Sequence, residues 1–238
     1  MDQSSISERK ASLRAAWLER RAGSLGPEAL EAESRAAMRG LAASGLLGAA
    51  SVVALYSGIR GELDPLWLLE EAAACGKRVV LPRVWAQEQR IGFYEVEGDW
   101  GHPGARAAAR ERLRPGGWGI LEPWGEELAL GQIELWVVPG LGFDGDGARL
   151  GYGKGHYDRC LVGRAGLVAG LCFDWQVRPL GELPSEAHDA RVDLLVTPSG
   201  CWATGHGRGG AHGERLAVFA AHQGELHSAQ RGAPSSWG

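Results

Sequence analysis

The run from Leu135 to Arg159, LWVVPGLGFDGDGARLGYGKGHYDR, constrains this chain more than any other. An apolar segment with the character of a buried strand passes directly into a loop with glycine at almost every second position. Arg149, Lys154 and Asp158 thread that loop. Glycines let backbone N–H groups close on an anion at positive φ, interleaved cations neutralise charge, and a trailing carboxylate can hold Mg2+. The pattern is not a generic phosphate loop, which requires glycine where Ala148 stands and Ser or Thr where Gly155 stands. Nor is Gly151-Tyr152-Gly153-Lys154-Gly155 the dinucleotide pattern GxGxxG. An isolated glycine loop is most simply a surface turn. This one follows the carboxyl end of a buried strand, where open α/β sheets bind ligands, and Gly155 to Arg159 reads as a helix start whose amides face phosphate.

The surrounding pattern supplies the sheet. Helical periodicity covers Ser7 to Ala22, with Ser7 as N-cap, and Pro27 to Ala43, with Pro27 in the first turn and Gly45 as a stop. Short apolar runs then alternate with helical stretches: Val52 to Tyr56, a Pro65 to Cys75 helix, and Val79 to Pro82. That β-α-β order implies parallel strands. Ile91 to Val96 alternates like an edge hairpin, and Leu135 to Val138, Leu167 to Phe173 and Asp193 to Thr197 read as further buried strands. The predicted fold class is α/β, a single domain with a mostly parallel central sheet flanked by helices.

Composition narrows the function classes. A chain of 238 residues with 45% hydrophobic content suffices for one sizeable core. A net charge of −4 without a long Lys/Arg block argues against nucleic acid and against an anionic membrane as partners. Cys75, Cys160, Cys172 and Cys201 are dispersed with no CxxC pair, which fits reduced cytoplasmic thiols rather than a zinc cluster or a disulfide framework. The start, MDQSSISERKASLR, lacks the order of a signal peptide. Leu41 to Ile59 is uncharged and long enough to span a bilayer, but Ser44, Gly45, Gly48, Ser51 and Ser57 interrupt it, and a helix end, a turn and a buried strand explain it better. Beyond about Pro198 the chain turns rich in Gly, His, Ser and Ala. We expect a domain over residues 1–199 and a poorly ordered tail over 200–238, with two helical turns at most from Arg215 to His222. The tail histidines His206, His212, His222 and His227 match no structural zinc spacing.

The string Val138-Pro139-Gly140, Phe143-Asp144, Gly147, Arg149-Leu150-Gly151-Tyr152-Gly153-Lys154-Gly155 and Tyr157-Asp158-Arg159 resembles the 5-formyltetrahydrofolate cyclo-ligase family, also called methenyltetrahydrofolate synthetases. The resemblance extends over roughly residues 7–199, through Lys10-Ala11-Ser12-Leu13-Arg14, Gly61-Glu62-Leu63-Asp64, Gly76-Lys77 to Pro82, Gly119-Ile120-Leu121-Glu122-Pro123 and Val192-Asp193. It implies a NagB/RpiA/CoA-transferase-like architecture, and we expect a monomer. The implied reaction uses ATP and Mg2+ to close 5-formyltetrahydrofolate into 5,10-methenyltetrahydrofolate, releasing ADP and phosphate. In that scheme the formyl oxygen attacks the γ-phosphate, and N10 then captures the activated carbon as phosphate leaves.

Carried over residue by residue, the resemblance assigns nucleotide binding to Lys10, Arg14, Arg149, Leu150, Gly151, Tyr152, Gly153, Lys154, Gly155, His156 and Tyr157, with Lys154 and Arg149 as the catalytic cations. Lys10 and Arg14 share a helix face by spacing alone, although a solvated basic face is the commoner meaning of such a pair. Asp158 and Asp193 match metal positions; a helix-dipole carboxylate and a strand cap are their plainer readings. Ser57, Glu62, Trp118, Tyr152 and His156 fall on the folate side, Trp118 as a stacking face, though one of ten tryptophans is more often packing. His156 stands where the family more often has tyrosine. Two other functions stay open at this point: a catalytically silent nucleotide- or folate-binding relative with a regulatory role, and a sugar-phosphate isomerase or acyl-carrier transferase on a similar fold.

Overall fold

Strand pairing organises the molecule around the segment that the sequence marks as buried. The structure, a computed structural model, describes residues 5–209, without the side chain of Trp118. Its main sheet has eight strands: β1 (Val52–Ala54), β2 (Arg78–Trp85), β3 (Arg90–Glu95), β4 (Glu127–Leu128), β5 (Leu135–Pro139), β6 (Leu167–Leu171), β7 (Leu194–Thr197) and β8 (Gly200–Ala203). Their spatial order is β8-β7-β6-β5-β1-β2-β3-β4. Pairing is parallel from β7 through β6, β5 and β1 to β2, and antiparallel at both margins. Val53 lies opposite Val79 on one side and Leu135 on the other. The hairpin expected at Ile91 to Val96 is therefore present as β3 against β2, but β4 covers it, so β3 is not the outermost strand.

A parallel strand must be buried on both faces, because its crossovers lay helices across the sheet. Leu135 and Val137 pack on one side with Ala37, Met38 and Leu41 of a helix, while Trp136 and Val138 pack on the other with Phe93, Phe143 and Leu161. Each such fully buried side chain contributes roughly 1.5–3 kcal/mol. Trp136 also meets Phe93 edge-on at 5.0 Å between ring centroids, adding about 0.5–1.5 kcal/mol.

The helices are α1 (Ile6–Ala22), α2 (Pro27–Ala43), α3 (Leu69–Ala74), α4 (Ala105–Arg112), α5 (His156–Cys160) and α6 (Gly205–Gly209). The N-cap of α1 is Ser5, not Ser7. Ser5 Oγ accepts the Glu8 N–H at 3.2 Å and the Glu8 carboxylate accepts the Ser5 N–H at 2.7 Å. Three residues beyond Ser7 stands Lys10, which has no acceptor with which to close the same box. Pro27 opens α2, and Gly45, at φ +79°, follows its end. The Pro65 to Cys75 helix divides into a tight 3-10 turn, Pro65–Leu68, and α3, since the Asp64 carboxylate accepts the Leu66 N–H at 3.1 Å and tightens the first turn. Leu41 to Ile59 is a helix end, turns and β1. Among the described residues no helix is long and apolar enough to cross a membrane.

The expected boundary at residue 199 falls inside a hairpin. Gly200–Ala203 pairs with β7, burying Cys201 and Ala203, and α6 continues the chain to Gly209. The small residues that read as tail are what fit beside a packed edge strand. Residues 210–238, with Arg215 to His222, lie outside the described residues. Cys160, Cys172 and Cys201 are buried thiols, Cys75 is exposed, and none forms a disulfide.

A small sheet carries the glycine loop. Gly142–Asp144 pairs with Arg149–Leu150 and with Val177–Arg178. The Asp144 side chain, 1% exposed, fastens it: Oδ1 accepts the N–H groups of Asp146 and Ala148, both at 3.0 Å, and Oδ2 those of Gly181 at 3.1 Å and Leu183 at 3.3 Å. Helix α1 seats on this sheet through Trp17. A Cβ on Gly142 would lie 1.2 Å from Trp17 Cζ3, so the indole occupies the space any side chain there would need. We expect Gly142→Ala to destabilise the protein by about 1–3 kcal/mol through overpacking. A lower urea midpoint checks this; an unchanged one would mean that Trp17 swings away freely.

Candidate active site

The carboxyl ends of β1, β2 and β5 open onto a cavity of about 400 Å3. Tyr56 and Ser57 enter it from the loop after β1, Pro82 and Val84 from β2, Pro139 from β5, and Lys10, Arg14 and Leu18 from α1. The whole stretch Arg149 to Asp158 lines it. The parallel order of the sheet is what brings these ends together.

Local geometry explains the glycines. Gly153 has φ +88°, and a Cβ there would press on the Arg14 guanidinium at 3.2 Å. Arg14 Nε donates to the Gly151 carbonyl at 2.8 Å, so α1 and the loop are bonded as well as packed. Gly155, at φ +64°, caps α5 and turns the chain so that His156 and Tyr157 face the cavity. Arg149 lies under this turn. Its Nη2 donates to Asp158 Oδ1 at 2.7 Å, its guanidinium carbon lies 5.6 Å from the Tyr157 ring centre, and its Nε is buried with no acceptor among the described residues. Burial pushes the Tyr157 phenol far above its ordinary pKa, so it stays protonated. Lys154 is exposed at the rim and makes no ion pair or hydrogen bond with the described residues through its side chain. Leu150 is buried and anchors the loop to the small sheet.

Lys10 is clasped instead of free. Its Nζ lies 2.7 Å from Glu186 Oε2 and 2.6 Å from Asp189 Oδ2. Burial by itself would lower the ammonium pKa, and the bonds from Asp189 and Glu186 outweigh that and raise it. Asp189 is itself held below the usual carboxylate range: burial opposes, and Lys10 and the Glu186 N–H prevail.

On the loop after β1, Glu62 is 6% exposed. Its Oε1 accepts the Tyr152 hydroxyl at 2.9 Å and its Oε2 accepts the Ile59 N–H at 3.1 Å. Arg21 lies 3.7 Å from Oε1 and also bonds the Tyr152 hydroxyl. Burial raises the Glu62 pKa, with Arg21 the largest opposing influence. Ser57 Oγ is buried beside the cavity with no hydrogen-bond partner among the described residues. Ile120 reaches the cavity close to Trp118 in sequence. The Trp118 side chain lies outside what the structure describes.

Asp193 is not brought to this cleft. Its Oδ2 accepts the Val168 N–H at 2.8 Å and Arg164 Nη2 at 3.0 Å, and His206 stands 3.8 Å from Oδ1, all outside the cavity lining. It is a buried carboxylate that ties β7 to β6, its position set by strand register. Asp158 alone of the two expected metal residues faces the cavity. Sequence reasoning passed over Arg21, Glu186 and Asp189. Arg21 falls on the same stripe of α1 as Lys10 and Arg14, so its signal was there; the two acids, far along the chain in a loop, carried none.

Fold and cleft together define an open α/β protein with a cation-rich ligand cleft at the carboxyl ends of its parallel strands. A model of the 5-formyltetrahydrofolate cyclo-ligase family matches residues 6–198. The chain is 32% identical over 191 residues to the 5-formyltetrahydrofolate cyclo-ligase of Mycolicibacterium smegmatis, covering 79% of this chain and 93% of that protein. It is 31% identical over 160 residues to the Escherichia coli K12 protein of the same name, covering 64% and 81%. The solution NMR structure of Aquifex aeolicus 5,10-methenyltetrahydrofolate synthetase superposes with a TM-score of 0.68 at 33% identity, covering 85% of this chain and 96% of that one. The chain belongs to the 5-formyltetrahydrofolate cyclo-ligase family, ligases of folate one-carbon metabolism.

His156 offers a check on the cleft's electrostatics. Burial, then Arg159 at 3.2 Å from Nδ1, then Lys154 depress its pKa, with the Gln89 backbone opposing. The imidazole is therefore expected to titrate below the ordinary histidine range and to be neutral at pH 7. In Arg159→Gln the NMR titration midpoint should rise toward the ordinary value; a midpoint that stays put would assign the shift to burial and Lys154.

Proposed function

We propose that the protein closes 5-formyltetrahydrofolate into 5,10-methenyltetrahydrofolate at the expense of ATP, releasing ADP and phosphate, as a monomeric cytoplasmic enzyme. One observation carries the reading: Lys10, Arg14, Arg149 and Lys154 converge with Glu62 and Ser57 on a single cavity. Cations for a polyphosphate and a buried carboxylate for ring N–H donors thus share one space. The names of the similar proteins and the unpaired cysteines agree with it.

The residues fit the cosubstrate. The unpartnered Arg149 Nε and the positive φ angles of Gly153 and Gly155 are what a phosphate cradle requires. In this reading Lys154 and Arg149 carry the charge that develops as the formyl oxygen attacks the terminal phosphoryl group, and Arg14 and Lys10 hold the rest of the chain of phosphates. Lys10 would exchange its internal acids for phosphate oxygens. Glu62 orients the pterin through its N–H groups, beside the Ser57 hydroxyl, so that N10 faces the carbon from which phosphate departs. Tyr56 and Glu62, 3% and 6% exposed, would help to keep water from the activated carbon.

Asp158 faces the cavity and is partly exposed; its Oδ1 accepts from Arg149 Nη2 at 2.7 Å, and its carboxylate would be the group that holds a magnesium ion brought in with the phosphates. Bound there, the ion would neutralise phosphate charge.

Mixing protein, Mg-ATP and 5-formyltetrahydrofolate should give an ATP-dependent absorbance of the methenyl product; its absence sinks the reading. Lys154→Ala should lower kcat/KM for ATP by roughly ten- to a hundredfold, the equivalent of a charged hydrogen bond of about 1.5–3 kcal/mol, with the circular dichroism spectrum unchanged. Asp158→Asn should raise the Mg2+ concentration needed for half-maximal rate.

A further inference from the structure

Arg21 is the most heavily engaged cation beside the cleft and does not line it. The residue is 3% exposed, in the last turn of α1. Its Nε donates to the Arg60 carbonyl at 3.1 Å and its Nη1 to the Gly140 carbonyl at 3.5 Å; Nη1 also lies 3.7 Å from Glu62 Oε1, and Nη2 bonds the Tyr152 hydroxyl. Three separate segments therefore converge on one planar guanidinium: the loop after β1, the exit of β5 and the glycine loop. Tyr152 closes the ring, since its hydroxyl accepts from Arg21 and donates to Glu62 at 2.9 Å. The turn that presents Glu62 is itself unusual. Arg60 and Gly61 sit at φ +50° and +74°, and the Glu62 N–H bonds the Ile59 carbonyl at 3.0 Å. An arginine in the left-handed region costs energy unless its surroundings over-determine it, and the bond from Arg21 to the Arg60 carbonyl is one such constraint.

We propose that Arg21 is a positioning residue that couples the two halves of the cleft: gripping Glu62 and Tyr152 together, it makes folate binding at the β1 loop and nucleotide binding at the glycine loop depend on one another. The inference rests on the reaction proposed above. The guanidinium fork suits this task because it presents several donors in fixed directions, whereas an ammonium offers one point charge. A ligand that touches Glu62 or Tyr152 at either loop acts on the same hydrogen-bonded ring, so that binding at one loop is felt at the other. Such linkage is reciprocal by necessity.

The charge of Glu62 gives the coupling a second readout. Facing that carboxylate are Arg21 from α1, Arg60 from its own turn, Tyr152 from the glycine loop, Tyr56 from the end of β1 and Tyr157 from α5. Burial raises its pKa, and Arg21, the Ile59 N–H, Tyr152 and Arg60 pull it back down. Folate binding through an ionised Glu62 is lost as pH falls through that pKa. Removing Arg21 lifts the pKa further, so the acid limb of kcat/KM for folate moves to higher pH.

The test is calorimetric titration of 5-formyltetrahydrofolate with and without a non-hydrolysable ATP analogue, together with pH profiles of kcat/KM, on wild type, Arg21→Met, Arg21→Lys and Tyr152→Phe. Wild type should bind folate roughly tenfold tighter when the analogue is present, within the usual range of site-to-site coupling. In Arg21→Met and Tyr152→Phe that factor should fall toward one and the acid limb should rise. Arg21→Lys should keep the limb near its wild-type position while losing most of the coupling. Tyr152→Phe deletes one hydroxyl and keeps the ring, so it carries the test if Arg21→Met does not fold. No coupling in wild type, or unchanged coupling and an unmoved acid limb in both Arg21→Met and Tyr152→Phe, overturns the proposal. A wild-type protein that binds both ligands with coupling yet forms no methenyl product overturns the reaction reading and leaves this inference standing as a binding property.

Discussion

The carboxylate of Asp144 is the constraint on which the cleft depends. It is buried and takes four backbone N–H groups, from Asp146, Ala148, Gly181 and Leu183. Two of these belong to the hairpin that launches the glycine loop, and two to the segment that runs on toward Glu186 and Asp189. Amide dipoles directed at a charge deep in the protein are strong and directional, because little water competes. A short polar knot therefore fixes both the cradle residues and the acids that clasp Lys10. Glycine-rich chain would otherwise have too many conformations to hold a ligand geometry; here its freedom is spent at a few turns and withdrawn elsewhere.

Helix α1 completes the arrangement from the opposite side. One stripe of it supplies Lys10, Arg14 and Arg21, while Trp17 between them lies against the backbone at Gly142. Each cation has an internal acceptor: Lys10 has Glu186 and Asp189, Arg14 has the Gly151 carbonyl, and Arg21 has carbonyls and Glu62. Positive charge gathered along one stripe repels itself, and these partners offset that repulsion.

Much of this was legible in the sequence, for reasons particular residues make plain. Unbroken apolar stretches such as Leu135 to Val138 have no polar face to give to solvent, so the buried parallel strand was readable. The loop from Arg149 to Asp158 was readable because glycine and cation alternate at a density that packing alone does not call for. Less was visible where two local signals competed. Ser5 and Ser7 both look like caps, and only the residue three positions on decides between them. Gly200 to Ala203 resembled tail because small residues serve an edge strand and a flexible segment equally well. Asp193, taken from the resemblance as a metal residue, turned out to be engaged by Arg164 and the Val168 amide, a matter of strand register that no short motif encodes. The clasp of Lys10 by Glu186 and Asp189 joins positions 176 and 179 residues apart, and nothing local announces it.

The thiols carry a practical corollary. Desolvation pushes Cys160 and Cys201 up to about 12 and Cys172 higher still, so near neutrality these three lack the thiolate that alkylating or oxidising reagents require. Cys75, at the end of α3, remains open to solvent. The native chain thus presents one addressable sulfur, and a maleimide-linked dye could report on ligand binding without an engineered attachment point.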